Sequence, residues 1–222
     1  MRRLRTIDQE AGFTIIELLI ATTVLTLILL LSTVMITSIG TLYYKGVTLS
    51  QTQDSTRSIA DQVVQDIQLT SGVVSNGTTT FGSTVVSAMC IGTVRYSYIL
   101  DRQIGTDSTA PANQIKHVLW RDTVSSGAAC LPADITLDPV GSTPATVNGM
   151  ELVGNKSRLT AFSAVSPLSS SLYAIDVGVA FGDNDLLSGS GATTRCNGGV
   201  ADHFCAVSTL STAAIRRFSG GH

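Results

Sequence analysis

The chain has 222 residues, of which 44% are hydrophobic and 14% charged, with positive mean hydropathy and a net charge of −2. That length suits one ordinary domain plus an appendage better than two full domains. The near-neutral charge argues against a protein that grips nucleic acid or a membrane surface through bulk positive charge.

The apolar content is unevenly spread. Arg2, Arg3 and Arg5 open the chain with Asp8 and Glu10, Glu17 follows as an isolated acid, and Leu18–Tyr44 is a 27-residue run without a charge. About 20 such residues cross the hydrocarbon core of a bilayer. Basic residues precede the run and Lys45 is the first after it, so the positive-inside rule keeps the N-terminus cytoplasmic and places residues beyond about Thr41 outside. The run is too long for the core of a cleaved secretory signal, although Ser38-Ile39-Gly40 imitates a cleavage site. A plain signal anchor fits the length and the orientation but leaves Glu17 unexplained. A carboxylate kept in an otherwise apolar, membrane-bound segment is expensive and points to function.

Gly12-Phe13-Thr14-Ile15-Ile16-Glu17-Leu18-Leu19-Ile20-Ala21 closely resembles the class III signal of type IV pilins and type II secretion pseudopilins. The resemblance implies that a prepilin peptidase removes residues 1–12 after Gly12, that Phe13 becomes an N-methylated terminus, and that Glu17 is the glutamate used in assembly. Phe13 and Glu17 stand four residues apart, which on a helix places them on one face. The new amine is largely protonated at neutral pH. Glu17 gains from the positive end of the helix dipole. Buried in a bundle of helices, its carboxylate needs an opposite charge, and the amine of a neighbouring subunit supplies one.

Beyond Gly46 the helix is expected to continue as an amphipathic half. Leu49, Gln53, Thr56, Ala60, Val63 and Ile67 form its inner stripe, and Gln51, Asp54, Arg57, Asp61, Gln65 and Asp66 form a polar face. From Phe13 to about Leu69 such a helix is roughly 85 Å long, with Gly40 and Gly46 permitting bends. Major pilins often carry a helix-breaking proline about twenty residues after the cleavage site, whereas this chain has Val34 in that neighbourhood. Ser32, Thr33, Thr37 and Ser38 can instead bond back to their own helix. The missing proline speaks against a melted segment there and against a main shaft subunit.

From Ser71 glycine, serine and threonine become dense and short β-rich runs replace the helical period. Thr93–Leu100 and Lys116–Val124 read as strands joined by a polar connection with Gly105 and Pro111. Lys156–Val165 and Leu172–Phe181 read as a further pair, and His203–Phe218 as one more strand with its tail. The expected fold is α+β: residues 1–12 a leader, 13–70 a long helix whose membrane and polymerisation part is about 13–40, and 71–222 an extracytoplasmic domain in which the helix packs on an antiparallel sheet. The order of elements resembles, diffusely, the larger minor pilins and the J-type minor pseudopilins.

Cys90, Cys130, Cys196 and Cys205 all follow the apolar run and share one compartment, outside, where disulfides persist. Bridging Cys196 to Cys205 would constrain the glycine-rich loop between them by about 2–3 kcal/mol, with Cys90–Cys130 as the complementary bridge. Four cysteines permit three pairings, and all three stay open at this level. His203 invites zinc, but no close fourth ligand or C-x-x-C pair accompanies it. Asp183, Asn184 and Asp185 gather oxygens without EF-hand spacing, so a solvated turn is the plainer reading than calcium. Arg216, Arg217 and His222 make a thin footprint for phosphate. Loss of the leader takes away three arginines and two acids, leaving 11 basic and 14 acidic side chains, which lends DNA only weak support. His117 and Trp120 read as packing residues. No nucleophile elbow, zinc helix or phosphate loop occurs, so neither an enzyme nor a cofactor is expected.

The resulting expectation is a processed minor pilin of a type IV pilus-like filament. Its partners would be other pilin subunits through the N-terminal helix, the prepilin peptidase, a pilus or secretion assembly platform, and membrane lipids before assembly. The alternatives are a minor pseudopilin of type II secretion, a competence pilus subunit, a surface binding protein that is anchored but never polymerised, and, last, an anchored enzyme.

Overall fold

The structure, a computed structural model, describes residues 12–70, 73–104, 117–136, 149–166, 171–199 and 202–217. The leader before Gly12, the connection with Gly105 and Pro111, and His222 lie outside the described residues.

Among the described residues, one α-helix, α1 (Ile15–Leu69), is followed by ten strands: β1 (Val74–Phe81), β2 (Thr84–Ile91), β3 (Val94–Tyr98), β4 (Leu119–Thr123), β5 (Met150–Glu151), β6 (Ser157–Val165), β7 (Leu172–Phe181), β8 (Leu187–Ser188), β9 (Arg195–Cys196) and β10 (Ala206–Ile215). This is the α+β arrangement expected, a long N-terminal helix followed by an antiparallel β domain. The helix is unbroken through Val34 and through both Gly40 and Gly46. The chain divides into two compact units at Tyr43–Tyr44, so the second half of α1 belongs with the sheets.

The single sheet expected is in fact several. β1-β2-β3-β4-β5 form one sheet, β10-β7-β6 a second, and β8-β9 a short ribbon. Every strand pair is antiparallel. Isolated bridges from Leu100 to Leu159 and from Gln103 to Arg158 join the two larger sheets. The strands read at 93–100, 116–124, 156–165, 172–181 and 203–218 correspond to β3, β4, β6, β7 and β10, with His117 falling just before its strand. The β1–β2 hairpin was not legible in the polar stretch Val74–Phe81. Its two-residue turn starts at Gly82 with φ 59°, a left-handed conformation that favours glycine.

Alternation along the strands gives the first sheet two covered faces. Met89, Ile91, Tyr96 and Leu119 turn to the main core, which also holds Ile59, Ala60, Val63 and Ile67 of α1 together with Leu159, Ile175, Val177 and Val179 of the second sheet. Val86, Ile99 and Trp120 turn the other way, onto Ala133 and Ile135 of an irregular strap. That strap is tied down by Arg95, whose guanidinium donates to Leu131 O at 2.9 Å and pairs with buried Asp122. The Ala133 N–H also donates to Ser97 Oγ at 2.9 Å.

At Gly77 the strap passes close to β1. A Cβ there would lie 1.8 Å from the Cys130 carbonyl oxygen, a backbone atom that cannot turn aside as a side chain can. Gly77→Ala is expected to destabilise the full chain in detergent by about 1–3 kcal/mol, the usual range for overpacking. An unchanged urea midpoint would contradict this placement of the strap.

The inner stripe of α1 differs from the expected one. Leu49 and Gln53 are exposed, and Thr48 and Thr52 are buried in their stead, in line with Thr56, Ala60, Val63 and Ile67 as expected and with Ile59 in addition. The physical reason lies in the hydroxyls. Thr48, Thr52 and Thr56 each donate to the carbonyl four residues back, at 2.9, 2.8 and 2.8 Å. A small side chain with its polar group already satisfied can be buried cheaply.

Candidate functional site

Gly12, Phe13 and Thr14 precede the helix, and Phe13 is 85% exposed. Because α1 begins at Ile15, Phe13 and Glu17 do not share a helical face as the spacing suggested. Thr14 intervenes as an N-cap. The Glu17 N–H donates to Thr14 Oγ1 at 3.3 Å, and the Thr14 N–H donates to Glu17 Oε2 at 3.4 Å. This is a reciprocal capping box, which satisfies two amides that the helix start would otherwise leave bare. The T-x-x-E spacing was its signal in the sequence.

From Ile15 to Tyr44 the large apolar side chains of the helix are exposed to whatever surrounds it. The helix is long and apolar enough to cross a membrane. Its polar side chains suit that setting. Thr22, Thr23, Thr26, Thr33, Thr37, Ser38 and Thr41 all donate to carbonyls three or four residues back, at 2.8–3.0 Å for the shortest bond of each. In hydrocarbon a hydroxyl without a partner costs several kcal/mol, and here none of these seven incurs that cost.

At the other end of α1, Asp66 departs from the polar face assigned to it. Its carboxylate accepts two hydrogen bonds from Arg121 of β4, at 3.0 and 2.9 Å, and one from the Tyr96 hydroxyl of β3. The Arg121 guanidinium lies 6.0 Å from the Tyr96 ring centroid. This three-way clip joins helix and sheet inside the second unit. Burial first, and then the Asp66 carboxylate, push the Tyr96 phenol far above its ordinary value, while the bonds to Asp66 raise Arg121 against the opposing effect of its own burial.

The sign of the tyrosine effect is definite. Above about pH 10, the ordinary tyrosine range, the unfolded chain gives up the Tyr96 proton while the folded chain keeps it, so stability is full below that pH and falls above it. Urea midpoints of the full chain in detergent should stay level to about pH 9.5 and decline towards pH 11. Tyr96→Phe should flatten part of the decline.

The cysteines pair as Cys90–Cys130 and Cys196–Cys205. The first bridge closes across 40 residues and staples the strap to β2. The second closes across nine and holds a 3₁₀ turn at Asp202–Phe204. Both thiols flanking His203 are therefore oxidised and offer no thiolate to zinc. Asp183 pairs with Lys156 at 3.1 Å, and Asn184 accepts from Arg158 at 2.6 Å. Two of the three candidate calcium ligands, Asp183 and Asn184, thus each have a basic side chain on one oxygen. Among the described residues no cluster of His, Cys, Asp and Glu could hold a metal.

His117 is buried, its ring 4.4 Å from that of Trp120 and its Nδ1 3.3 Å from Glu151 Oε2. Glu151 is a structural residue that sequence reasoning missed. Its carboxylate accepts the N–H groups of Val118, Leu119 and Val153 at 2.9, 2.9 and 3.1 Å, which fixes β5 against β4. Arg216 is half-buried with its N–H bonded to Ser171 O at 2.9 Å, and Arg217 is exposed.

Fold and site together define an α+β protein with two disulfides and one helix fit to anchor it in a membrane. No family model, no curated protein and no solved structure matches the chain.

Proposed function

We propose that this chain is a prepilin-like subunit, cut after Gly12, held in the membrane by its N-terminal helix and polymerised through that helix into a type IV pilus-like filament as a minor component. The observation that carries the reading is the start of α1. Gly12 and Phe13 stand outside the helix, accessible to a peptidase, and the lone carboxylate of the apolar half sits one turn further on. Removal of residues 1–12 would place a charged amine beside a capped helix whose exposed apolar side chains suit both lipid and a bundle of like helices. In such a bundle, Glu17 would pair with the amine of a neighbour and set the axial register.

Intact-mass measurement of the protein extracted from membranes tests the proposal. The expected chain begins at Phe13 and carries one added methyl group. A chain retaining Met1 in assembled material would overturn the reading.

One observation favours a second reading. The capping box gives Glu17 a purely local task, which a membrane-anchored binding protein that never polymerises would also use. A minor pseudopilin shares every feature named above, and the genes adjoining this one, encoding a secretin or a pilus tip set, would separate the two.

A further inference from the structure

We infer that the turn closed by Cys196–Cys205 is a lipid-facing foot: before assembly Phe204, with Tyr44 and Lys45 beside it, rests in the headgroup layer of a phospholipid bilayer. The inference rests on the anchoring part of the proposal above and adds a second contact with the same membrane.

Tyr44 ends the uncharged run and Lys45 is the first charge after it. About 20 residues at 1.5 Å each cross a hydrocarbon core of about 30 Å. With the usual helix tilt of about 20°, a run that starts at Leu18 reaches the far edge of the core near Ile39 and carries Tyr44 to the outer part of the headgroup layer. Aromatic side chains favour that layer. Phe204, next to Cys205 in the disulfide-closed turn, is 48% exposed. Its ring centroid lies 6.0 Å from that of Tyr44 and 4.0 Å from that of His203.

The turn does not swing free. Thr48 Oγ1 donates to the His203 carbonyl at 3.3 Å, and Lys45 Nζ pairs with Asp202 at 2.5 Å. That pair also neutralises the acid that anionic headgroups would repel. Phe204 is thus held at the level of Tyr44 by a covalent bridge, a hydrogen bond and an ion pair, with its apolar face uncovered.

The test uses the full chain in liposomes of phosphatidylcholine and phosphatidylglycerol, with Phe204→p-benzoylphenylalanine as photocrosslinker and Thr80→p-benzoylphenylalanine, on an exposed strand edge, as control. His203→p-benzoylphenylalanine is a second probe should the first variant fail to form its disulfide. With protein floating on a density gradient alongside the liposomes, lipid adducts at 204 or 203 should exceed those at 80 by about fivefold or more, given the interfacial preference of aromatic groups. Floating protein whose adducts at 204 and 203 are no more frequent than at 80, or fall on a second copy of the chain, overturns the foot and leaves anchoring intact. Protein that does not float overturns anchoring and the foot together.

Discussion

Under the proposed assembly, a chain carrying Glu17→Gln is expected to be cleaved and inserted normally, yet to enter filaments about 100-fold less often than the unaltered chain. Glutamine at this position keeps the capping box, because its amide oxygen still accepts the Thr14 N–H, so the helix start survives. What disappears is the charge. In a bundle of apolar helices the neighbour's terminal amine would then be buried without a partner, which costs about 3–5 kcal/mol. At about 1.4 kcal/mol per tenfold, that is roughly two to three and a half orders of magnitude in occupancy, of which about 100-fold is the lower end. The ratio of subunit in sheared fibres to subunit in membranes, read by immunoblot, is the measurement. Equal incorporation of the glutamine variant would reduce Glu17 to a cap and favour the anchored binding protein.

Asp66→Ala is expected to lower stability by about 3–5 kcal/mol. It strands Arg121, whose side chain is only 23% exposed, and leaves the Tyr96 hydroxyl of a fully buried residue without its acceptor. For a chain of this size the melting temperature should fall on the order of 10 °C, as followed by circular dichroism of the full chain in detergent. Asp66→Leu combined with Arg121→Met tests the cause. Replacing both charges with apolar groups removes the stranded partner and should recover much of the loss. A double variant no better than Asp66→Ala would mean that the clip acts through packing and not through charge.

The legible parts of the fold were those with strong local periodicity. The long helix followed from its uncharged run and the three–four spacing after it. The strands β3, β4, β6, β7 and β10 followed from β-branched and aromatic runs. The β1–β2 hairpin escaped because Asn76, Gly77 and three consecutive threonines look like a loop by composition. Its order comes from pairing along its whole length with β2. The inner stripe of α1 was read one residue off at Leu49 and Gln53, because the apolar Leu49 set the phase and Gln53 only completed the three–four spacing from it. The buried threonines satisfy their own hydroxyls, which no count of apolar residues reveals.

The candidate site divides in the same way. Gly12, Phe13 and Glu17 could be named from the line of residues because the stretch Gly12–Ala21 resembles a prepilin signal, a pattern that is local in the chain. The capping box was also present in the spacing, yet it went unread.

By itself the sequence determined the long apolar helix, the order of that helix and strands β3, β4, β6, β7 and β10, and the confinement of all four cysteines to the region after the apolar run. Those properties depend on neighbours a few residues apart, through hydrophobic period, turn chemistry and charge. Only the tertiary structure decided which cysteines pair, how the strands divide between sheets, and that Asp66 turns inward to Arg121 and Tyr96. Apart from Cys196–Cys205, which closes across nine residues, these links join residues tens of positions apart. Their partners are chosen by the geometry of the packed core, where a buried charge or thiol takes whichever group the fold brings within reach.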